Sequence, residues 1–168
     1  ILTDANIDIG TRQQCNEIIQ QNSDLLLKLI DDVVDLSSLE IGKMQFQFGN
    51  SDAVAICRNV VDTVEKIKQT SATVLFQTSQ EKMEIYTDEA RLQQLLINLL
   101  INATKFTTEG SITLLLEKES EEMTVFSVTD TGCGIAPEKQ GQIFNRFEKL
   151  NENAQGSGLG LSICCLLY

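Results

Sequence analysis

The sequence predicts an α+β protein in which a long helix precedes a domain built on a mixed sheet. Three observations indicate this fold class. Apolar residues recur at alternating three- and four-residue steps over about the first forty positions. Helical and strand-like segments then alternate along the chain, which favours parallel strand pairs. Two later strand-like segments follow each other directly, so antiparallel pairs are expected in the same sheet.

The first helix carries two adjacent apolar seams. The first seam consists of Cys15, Ile18, Asn22, Leu25, Leu29, Asp32, Leu36 and Leu39, and the second seam of Ile19, Leu26, Ile30 and Val33. Two seams give a wider apolar face than a two-stranded coiled coil needs, so a four-helix bundle fits better. An amphipathic helix packed on its own domain is the alternative. Gly42 is placed to end the helix as a C-terminal cap.

Helix-capping residues and an alternation of apolar and polar side chains predict the next elements. The run from residue 44 to residue 48 alternates apolar and polar side chains and predicts a strand. Asp52 and Asp88 are placed as N-caps of helices, which we expect at residues 53–69 and 89–106.

The other elements follow from similar patterns. Further strands are predicted at residues 73–77, 83–87, 111–118 and 123–129. Residues 130–160 are rich in glycine, which predicts loops, and a last apolar stretch begins at Leu161.

Composition excludes several classes of function. A net charge of −11 argues against nucleic-acid binding, because that binding needs Lys and Arg to neutralise phosphates. The five cysteines are odd in number and lack CxxC spacing, so we expect neither a disulfide framework nor a zinc site. The absence of histidine excludes a Ser-His-Asp triad and an imidazole base. No apolar run reaches the ~18 residues that a membrane span needs, and we expect no membrane contact.

Asn98, Asn102 and Lys105 share one face of the predicted helix at residues 89–106. An amide oxygen is a hard, neutral ligand that suits Mg²⁺, and a lysine one turn away can pair with phosphate. The alternative is that the three residues form the polar side of an amphipathic helix. Leucines at positions 95, 96, 99 and 100 weigh against it, because an idle amide is costly in apolar surroundings.

The segment Asp130-Thr131-Gly132-Cys133-Gly134-Ile135 directly follows a predicted strand. A carboxylate at a strand end can accept a hydrogen bond from an exocyclic amine, which would distinguish adenine from guanine. Gly132 and Gly134 would let the backbone approach a flat base closely. A plain turn is the alternative, because Asp-x-Gly sequences are abundant in turns.

A second glycine-rich segment, Gly156-Ser157-Gly158-Leu159-Gly160, precedes what reads as a helix start. Backbone N–H groups at such a start suit phosphate oxygens, although a flexible linker is the alternative. Between the two segments, Arg146 and Lys149 could reach a γ-phosphate from a mobile lid anchored by Phe144 and Phe147. The two aromatic residues could equally be core residues of a short helix.

In order along the chain, these segments resemble the sequence boxes of sensor histidine kinases. Residues 98–106 are similar to the N box, 130–135 to the first glycine box, Phe144 and Phe147 to the F box, and 156–160 to the second glycine box. Upstream, residues 26–44 resemble the second helix of the family's dimerisation and histidine-phosphotransfer hairpin. The resemblance covers nearly the whole chain, and four boxes in order behind that helix are highly specific.

The resemblance implies a site for ATP and Mg²⁺. Asn102 would be the metal ligand, Asn98 would assist it, Lys105 would contact phosphate and Asp130 would read adenine. The other residues implied to bind the nucleotide are Gly132, Gly134, Arg146, Lys149, Gly156, Gly158, Leu159 and Gly160.

The implied fold is the two-layer α/β sandwich of the gyrase, chaperone, histidine-kinase and mismatch-repair superfamily, preceded by a long helix of a dimeric four-helix bundle. Residues 1–43 would form part of the dimerisation hairpin, and residues 44–168 would form the ATP-binding domain. The acceptor histidine should lie upstream of residue 1, with only a remnant of the first hairpin helix at residues 1–4. Since the family normally continues through a helix and two more strands, we expect that domain to be incomplete at its C-terminal end.

The implied activity belongs to a parent protein-histidine kinase of a two-component phosphorelay. It would transfer the ATP γ-phosphoryl group to a histidine on the hairpin, for relay to the aspartate of a response-regulator receiver domain. We expect a homodimer through the hairpin and a cytoplasmic location, with a sensor region elsewhere that could anchor the parent in a membrane. The alternatives are a non-catalytic, nucleotide-sensing dimerisation module and another ATPase or serine kinase of the superfamily.

Overall fold

The computed structural model describes residues 9–120, 123–148 and 157–167. The helices within these ranges are α1 (Ile9–Glu40), α2 (Ala53–Ile67), α3 (Glu89–Phe106), α4 (Pro137–Gln140) and α5 (Gly160–Leu167). The strands are β1 (Gly49–Asp52), β2 (Thr73–Thr78), β3 (Glu84–Thr87), β4 (Ser111–Lys118) and β5 (Thr124–Asp130).

The described strands form a mixed three-stranded sheet and a small two-stranded one. In the larger sheet, β4 is central, runs parallel to β2 and pairs with β5 as an antiparallel hairpin. In the smaller sheet, β1 and β3 are antiparallel, with Gly49 opposite Thr87. The prediction of a mixed sheet with a hairpin at its end is therefore confirmed.

Helices α2 and α3 cover one face of the larger sheet and make a two-layer α/β sandwich. Alternate residues of β4 point to this face, and Ile112, Leu114 and Leu116 are fully buried there. The helices contribute an apolar face each, with Ile56 and Leu100 among their fully buried side chains. This core fixes α3, and it leaves the other side of α3 open for polar side chains.

Two carboxylates begin α2 and α3 as predicted. The Asp52 carboxylate accepts hydrogen bonds from the backbone N–H groups of Val54 and Met83, both at 3.1 Å. The Asp88 carboxylate accepts from Gln47 at 2.7 Å and from Arg91 at 3.1 Å. These N–H donors stabilise the charged form and lower the pKa of both groups, the main donor being Met83 for Asp52 and Gln47 for Asp88.

The prediction of a strand at residues 44–48 was wrong. Residues 43–48 form no regular structure, and the strand lies instead at Gly49–Asp52, where it pairs with β3. The backbone N–H of Gln47 is bonded to the Asp88 carboxylate, so it is not available to a strand partner. Phe46 and Phe48 are exposed, and the Phe48 ring stacks on Tyr86 with ring centres 5.9 Å apart. The aromatic alternation therefore reflects a surface cluster rather than a pleated strand.

The two seams of α1 have different surroundings. Asp32 and Leu36 of the first seam are buried, and Leu36 packs on Ile163 of α5. The second-seam residues, which are Ile19, Leu26, Ile30 and Val33, are exposed. The helix thus packs on its own domain through the C-terminal part of the first seam, whereas Ile18 of that seam and the second seam are exposed. The cap at its end is confirmed, because Gly42 has a φ of 63° and the N–H of residue 43 bonds to the Ser38 carbonyl at 2.9 Å.

Two further predictions concern the chain ends and the membrane. The predicted remnant of a first hairpin helix, at residues 1–4, lies outside the described residues. Among the helices that are described, none combines sufficient length and apolar character to cross a bilayer.

Candidate nucleotide-binding site

A cavity of about 260 Å³ lies between α1, α3 and the segment that leads into α5. Its lining includes five residues that the sequence predicts to bind a nucleotide: Asn98, Asn102, Lys105, Gly158 and Gly160. The structure therefore brings together side chains of the N-box segment and the backbone of the second glycine segment, which are separated by about fifty residues in the sequence.

The polar side of α3 faces this cavity because its apolar side is buried against the sheet. Leu96 and Leu100 are fully buried, whereas Asn98 and Asn102 are half-buried on the cavity side. The Asn98 Nδ2 atom is buried, and it has no partner at hydrogen-bond distance among the described residues, although the Cys164 thiol lies near it. A buried donor without a partner costs about 1–3 kcal/mol. An acceptor such as a phosphate oxygen or a metal-bound water would remove this cost.

The second glycine segment is held against the F-box segment. Gly158 has a φ of 73°, and a Cβ atom there would lie 2.8 Å from the carbonyl carbon of Phe147. The Phe147 N–H donates to the Gly158 carbonyl at 3.1 Å. Because a side chain at position 158 would collide with this backbone, glycine is required for the loop to close here.

The first glycine segment packs on the C-terminal end of α3. The Asp130 carboxylate accepts from the Gly132 N–H at 2.9 Å and from the Thr107 hydroxyl at 3.4 Å. A Cβ atom on Gly132 would lie 2.3 Å from the Phe106 carbonyl oxygen, so a side chain there would separate the segment from α3. Gly134 is exposed, with a φ of 69°. Among the described residues, the cavity lining does not include Asp130, Gly132 or Gly134.

The other residues predicted to bind the nucleotide lie outside the cavity lining or outside the described residues. The Leu159 side chain is fully buried beside Leu36, so only its backbone is available to a ligand. Arg146 forms an ion pair with Glu40 of α1 and is not part of the cavity lining. Lys149 and Gly156 lie outside the described residues.

Phe144 and Phe147 are exposed surface residues. Their side chains are 51% and 64% exposed, so the alternative that they are core residues of a short helix is wrong. The surrounding residues form turns, and Phe147 itself has a φ of 59°.

Sequence reasoning missed Lys28, Asp32 and Ser157, which also line the cavity. Asp32 is only 5% exposed, and its carboxylate accepts a hydrogen bond from the Ser157 hydroxyl at 3.0 Å. One signal for Asp32 was present in the sequence, because a carboxylate occupies an otherwise largely apolar seam.

Four of the five cysteines are either buried or exposed, and Cys15 of α1 is intermediate. Burial raises the pKa of Cys57 to about 12 and that of Cys164 to about 11, although the nearby Asn98 amide opposes part of the effect at Cys164. Cys133 and Cys165 are exposed.

We expect alkylation to follow this division. The thiolate is the reactive form, and a thiol with a pKa of about 11 is only ~0.1% ionised at pH 8. Iodoacetamide at pH 8 should therefore modify Cys133 and Cys165 in the folded chain, and Cys57 and Cys164 only after denaturation. Mass spectrometry of peptides checks this, and equal rates at Cys164 and Cys165 would contradict the packing of α5.

Known protein families and curated proteins resemble this chain in sequence. The profile of the family described as "Histidine kinase-, DNA gyrase B-, and HSP90-like ATPase" matches residues 87–167. The chain is 33% identical over 153 residues to the circadian input-output histidine kinase CikA of Synechococcus elongatus, covering 86% of this chain and 20% of that protein. It is 34% identical over 169 residues to the autoinducer 2 sensor kinase/phosphatase LuxQ of Vibrio harveyi, covering 92% and 20%. The chain thus spans about a fifth of the length of these curated relatives.

Solved structures of histidine kinases also resemble this chain. Full-length ShkA in complex with AMPPNP is similar with a TM-score of 0.82 and 28% identity, covering 99% of this chain and 35% of that one. Histidine kinase ThkA in complex with response regulator protein TrrA gives a TM-score of 0.71 and 25% identity, covering 97% and 46%. Residues 87–167 belong to the histidine kinase-, DNA gyrase B- and HSP90-like ATPase family, and the similarity over most of the chain to histidine kinases identifies an ATP-binding catalytic domain of the histidine kinase type.

Proposed function

We propose that this chain binds ATP together with Mg²⁺ and acts as the catalytic core of a sensor histidine kinase. The observation that carries the proposal is the shared cavity of about 260 Å³, in which the amides of α3 meet the second glycine segment. The buried Asn98 Nδ2 atom, which has no partner at hydrogen-bond distance among the described residues, supports an oxygen-rich ligand at this place.

The residues present fit a metal-bound polyphosphate. Asn102 would supply an amide oxygen to the metal, Asn98 would donate to a phosphate oxygen or a metal-bound water, and Lys105 would contact phosphate. Mg²⁺ bound there would neutralise phosphate charge. The backbone of residues 158–160 would approach the phosphates, because glycine at two of these positions leaves the N–H groups accessible.

The base would bind at the first glycine segment. Asp130 would accept from the exocyclic amine of adenine, and its hydrogen bond from the Gly132 N–H keeps the carboxylate in a fixed position. Gly134 would leave room for the ring. Arg146 would need to exchange its ion pair with Glu40 for a phosphate, and Lys149 and Gly156 complete the proposed set.

The parent protein would transfer the γ-phosphoryl group to a histidine on the dimerisation hairpin, outside this chain. The core would act by positioning and charge neutralisation rather than by covalent chemistry. A response-regulator receiver domain is the proposed partner, which accords with the ThkA complex with TrrA. Because the reaction uses ATP, we place this region in the cytoplasm.

Residues 1–43 are assigned to the hairpin and residues 44–168 to the ATP-binding domain. The exposed second seam of α1 supports a homodimer, because Leu26 and Ile30 are 58% and 51% exposed on a helix that reads as part of a bundle. A second copy of the hairpin would cover this seam.

The direct test of the activity is phosphotransfer in trans. The chain would be mixed with a separate hairpin that carries the acceptor histidine, in the presence of Mg²⁺ and γ-labelled ATP. We expect acid-labile phosphohistidine on that hairpin, and none on a control hairpin whose histidine is replaced by glutamine. ATP binding without phosphohistidine would contradict the kinase assignment and favour the non-catalytic nucleotide-sensing module.

A further inference from the structure

Helix α1 forms one side of the cavity, because contacts at neighbouring positions hold it against the ATP-binding domain. Leu36 packs on Ile163 of α5, and the Asp35 carboxylate forms an ion pair with Arg91 of α3 at 3.0 Å. Together these contacts determine which face of α1 turns to the cavity. Residues 28 and 32 lie on that face, two turns and one turn before Leu36, and both line the cavity.

Lys28 brings a positive charge to the cavity from α1. Its side chain is exposed, and it forms no ion pair or hydrogen bond with any residue that the structure describes. Lysine is a compact cation on a flexible four-carbon stem, so its ammonium can reach a ligand as a point charge. The Lys28 ammonium is therefore available to an anion that enters the cavity.

Among the described residues that line the cavity, the charged types are two lysines and two acidic residues. The lysines are Lys28 and Lys105, and the acidic residues are Asp32 and Glu148. Asp32 accepts a hydrogen bond from the Ser157 hydroxyl at 3.0 Å, and Glu148 is exposed at the end of the F-box segment. Whatever the protonation of the two acidic groups, bound phosphate adds negative charge, and the side chains of this lining that can offset it are the two lysines.

A polyphosphate in this cavity needs more than one cation. Mg²⁺ offsets only part of the phosphate charge of ATP, and the chain as a whole is acidic, with a net charge of −11. Arg146, which the sequence assigned to phosphate, is paired with Glu40 and does not line the cavity. Lys28 and Lys105 come from α1 and α3, on two sides of the cavity, so a phosphate chain between the helices can reach both.

We propose that Lys28 binds the phosphates of the nucleotide, so that α1 contributes a cation to the site beside Lys105 of α3. The inference rests on the proposed function of the cavity and adds a residue of the hairpin helix to it. The docked position of α1 brings the ammonium to the cavity, so docking of α1 and binding of polyphosphate favour each other by thermodynamic linkage. Adenosine, which carries no phosphate, gains nothing from this residue.

The test compares the affinity of the full chain and of Lys28→Gln for Mg·ATP by calorimetry. Glutamine is about as good a helix former as lysine and keeps a long polar side chain, so α1 should be retained. An exposed contact between an ammonium and a phosphate contributes a modest free energy, so we expect about fivefold weaker binding by Lys28→Gln. Lys28→Glu reverses the charge and should bind about twentyfold more weakly, whereas Lys28→Arg should stay within about twofold of the wild type.

Lys43→Gln is the matched control for the loss of charge. Lys43 is an exposed lysine just beyond the end of α1, it does not line the cavity, and its replacement changes the net charge equally. Its affinity for Mg·ATP should stay within about twofold of the wild type. Adenosine binding, followed by NMR so that weak affinities remain measurable, should be the same in all these proteins. The loss of ATP affinity in Lys28→Gln should also shrink at high ionic strength, because salt screens contacts between exposed charges.

The outcomes distinguish this inference from the proposed function. If the wild type binds Mg·ATP and Lys28→Gln binds it equally tightly, the inference is overturned and the proposed function stands. An equal loss of ATP and adenosine affinity would also overturn it, because the substitution would then act on the fold of the site. An equal loss in Lys43→Gln would overturn it too, since the net charge of the chain would explain the effect. If the wild type binds no nucleotide, the proposed function fails and the inference fails with it.

Discussion

Replacement of Asn102 by alanine is expected to lower the affinity for Mg·ATP by at least about a hundredfold, which corresponds to ~2.7 kcal/mol. Asn102 lines the cavity from the middle of α3, and its amide oxygen is the group that we assign to the metal. Alanine is the strongest helix former, so α3 should persist in the variant. Calorimetry in Mg²⁺ and in EDTA measures the effect, and the difference should appear only in Mg²⁺.

Asn59→Ala provides the control for the Asn102 experiment. Asn59 is an exposed asparagine on α2 and does not line the cavity, so its loss should leave ATP affinity unchanged. An Asn102→Ala variant that binds Mg·ATP as tightly as the wild type would remove Asn102 from the role of metal ligand. A loss of equal size in EDTA would instead indicate that the amide contacts the nucleotide directly.

Replacement of Gly158 by alanine is expected to reduce ATP affinity by at least about tenfold and to destabilise the fold by roughly 2–4 kcal/mol. The left-handed backbone at φ 73° disfavours any side chain, and the added Cβ atom would lie 2.8 Å from the Phe147 backbone. The second glycine segment must then move away from residue 147, which displaces the N–H groups assigned to phosphate. Calorimetry and urea denaturation measure the two effects.

Gly42→Ala is the control for the Gly158 experiment. It distinguishes the effect of the left-handed backbone from the effect of the steric collision between a Cβ atom at position 158 and the Phe147 backbone. Gly42 has a similar φ of 63°, but a Cβ atom there would meet nothing within 4 Å. The control should therefore lose about 1–2 kcal/mol of stability and retain its ATP affinity. If both variants bound ATP like the wild type, the closure of this loop would be irrelevant to the site.

Local features of the fold were predictable because single residues determine them. Asp52 and Asp88 begin α2 and α3 at the predicted positions, since a carboxylate in front of an amphipathic segment satisfies the free N–H groups of the first turn. Gly42 ends α1 for a similarly local reason. The alternation at residues 44–48 misled the strand prediction, because the Asp88 carboxylate competes for the Gln47 N–H from 41 residues away.

The candidate site was predictable only in part, because the side of the cavity that α1 forms depends on contacts between distant segments. The amides of α3 could be identified from their helical spacing. The pairing of Asp32 with Ser157 joins residues 125 positions apart and has no local signal. The ion pair of Arg146 with Glu40 joins residues 106 positions apart, and it changes the interpretation of an arginine that the sequence assigned to phosphate.

A crystal structure of the chain with Mg²⁺ and a non-hydrolysable ATP analogue tests the central claim most directly. We predict that the phosphates lie in the cavity between α1, α3 and α5, that the metal lies on Asn102 and that the adenine amine faces Asp130. Density for the nucleotide at another surface, with this cavity occupied only by water, would contradict the account.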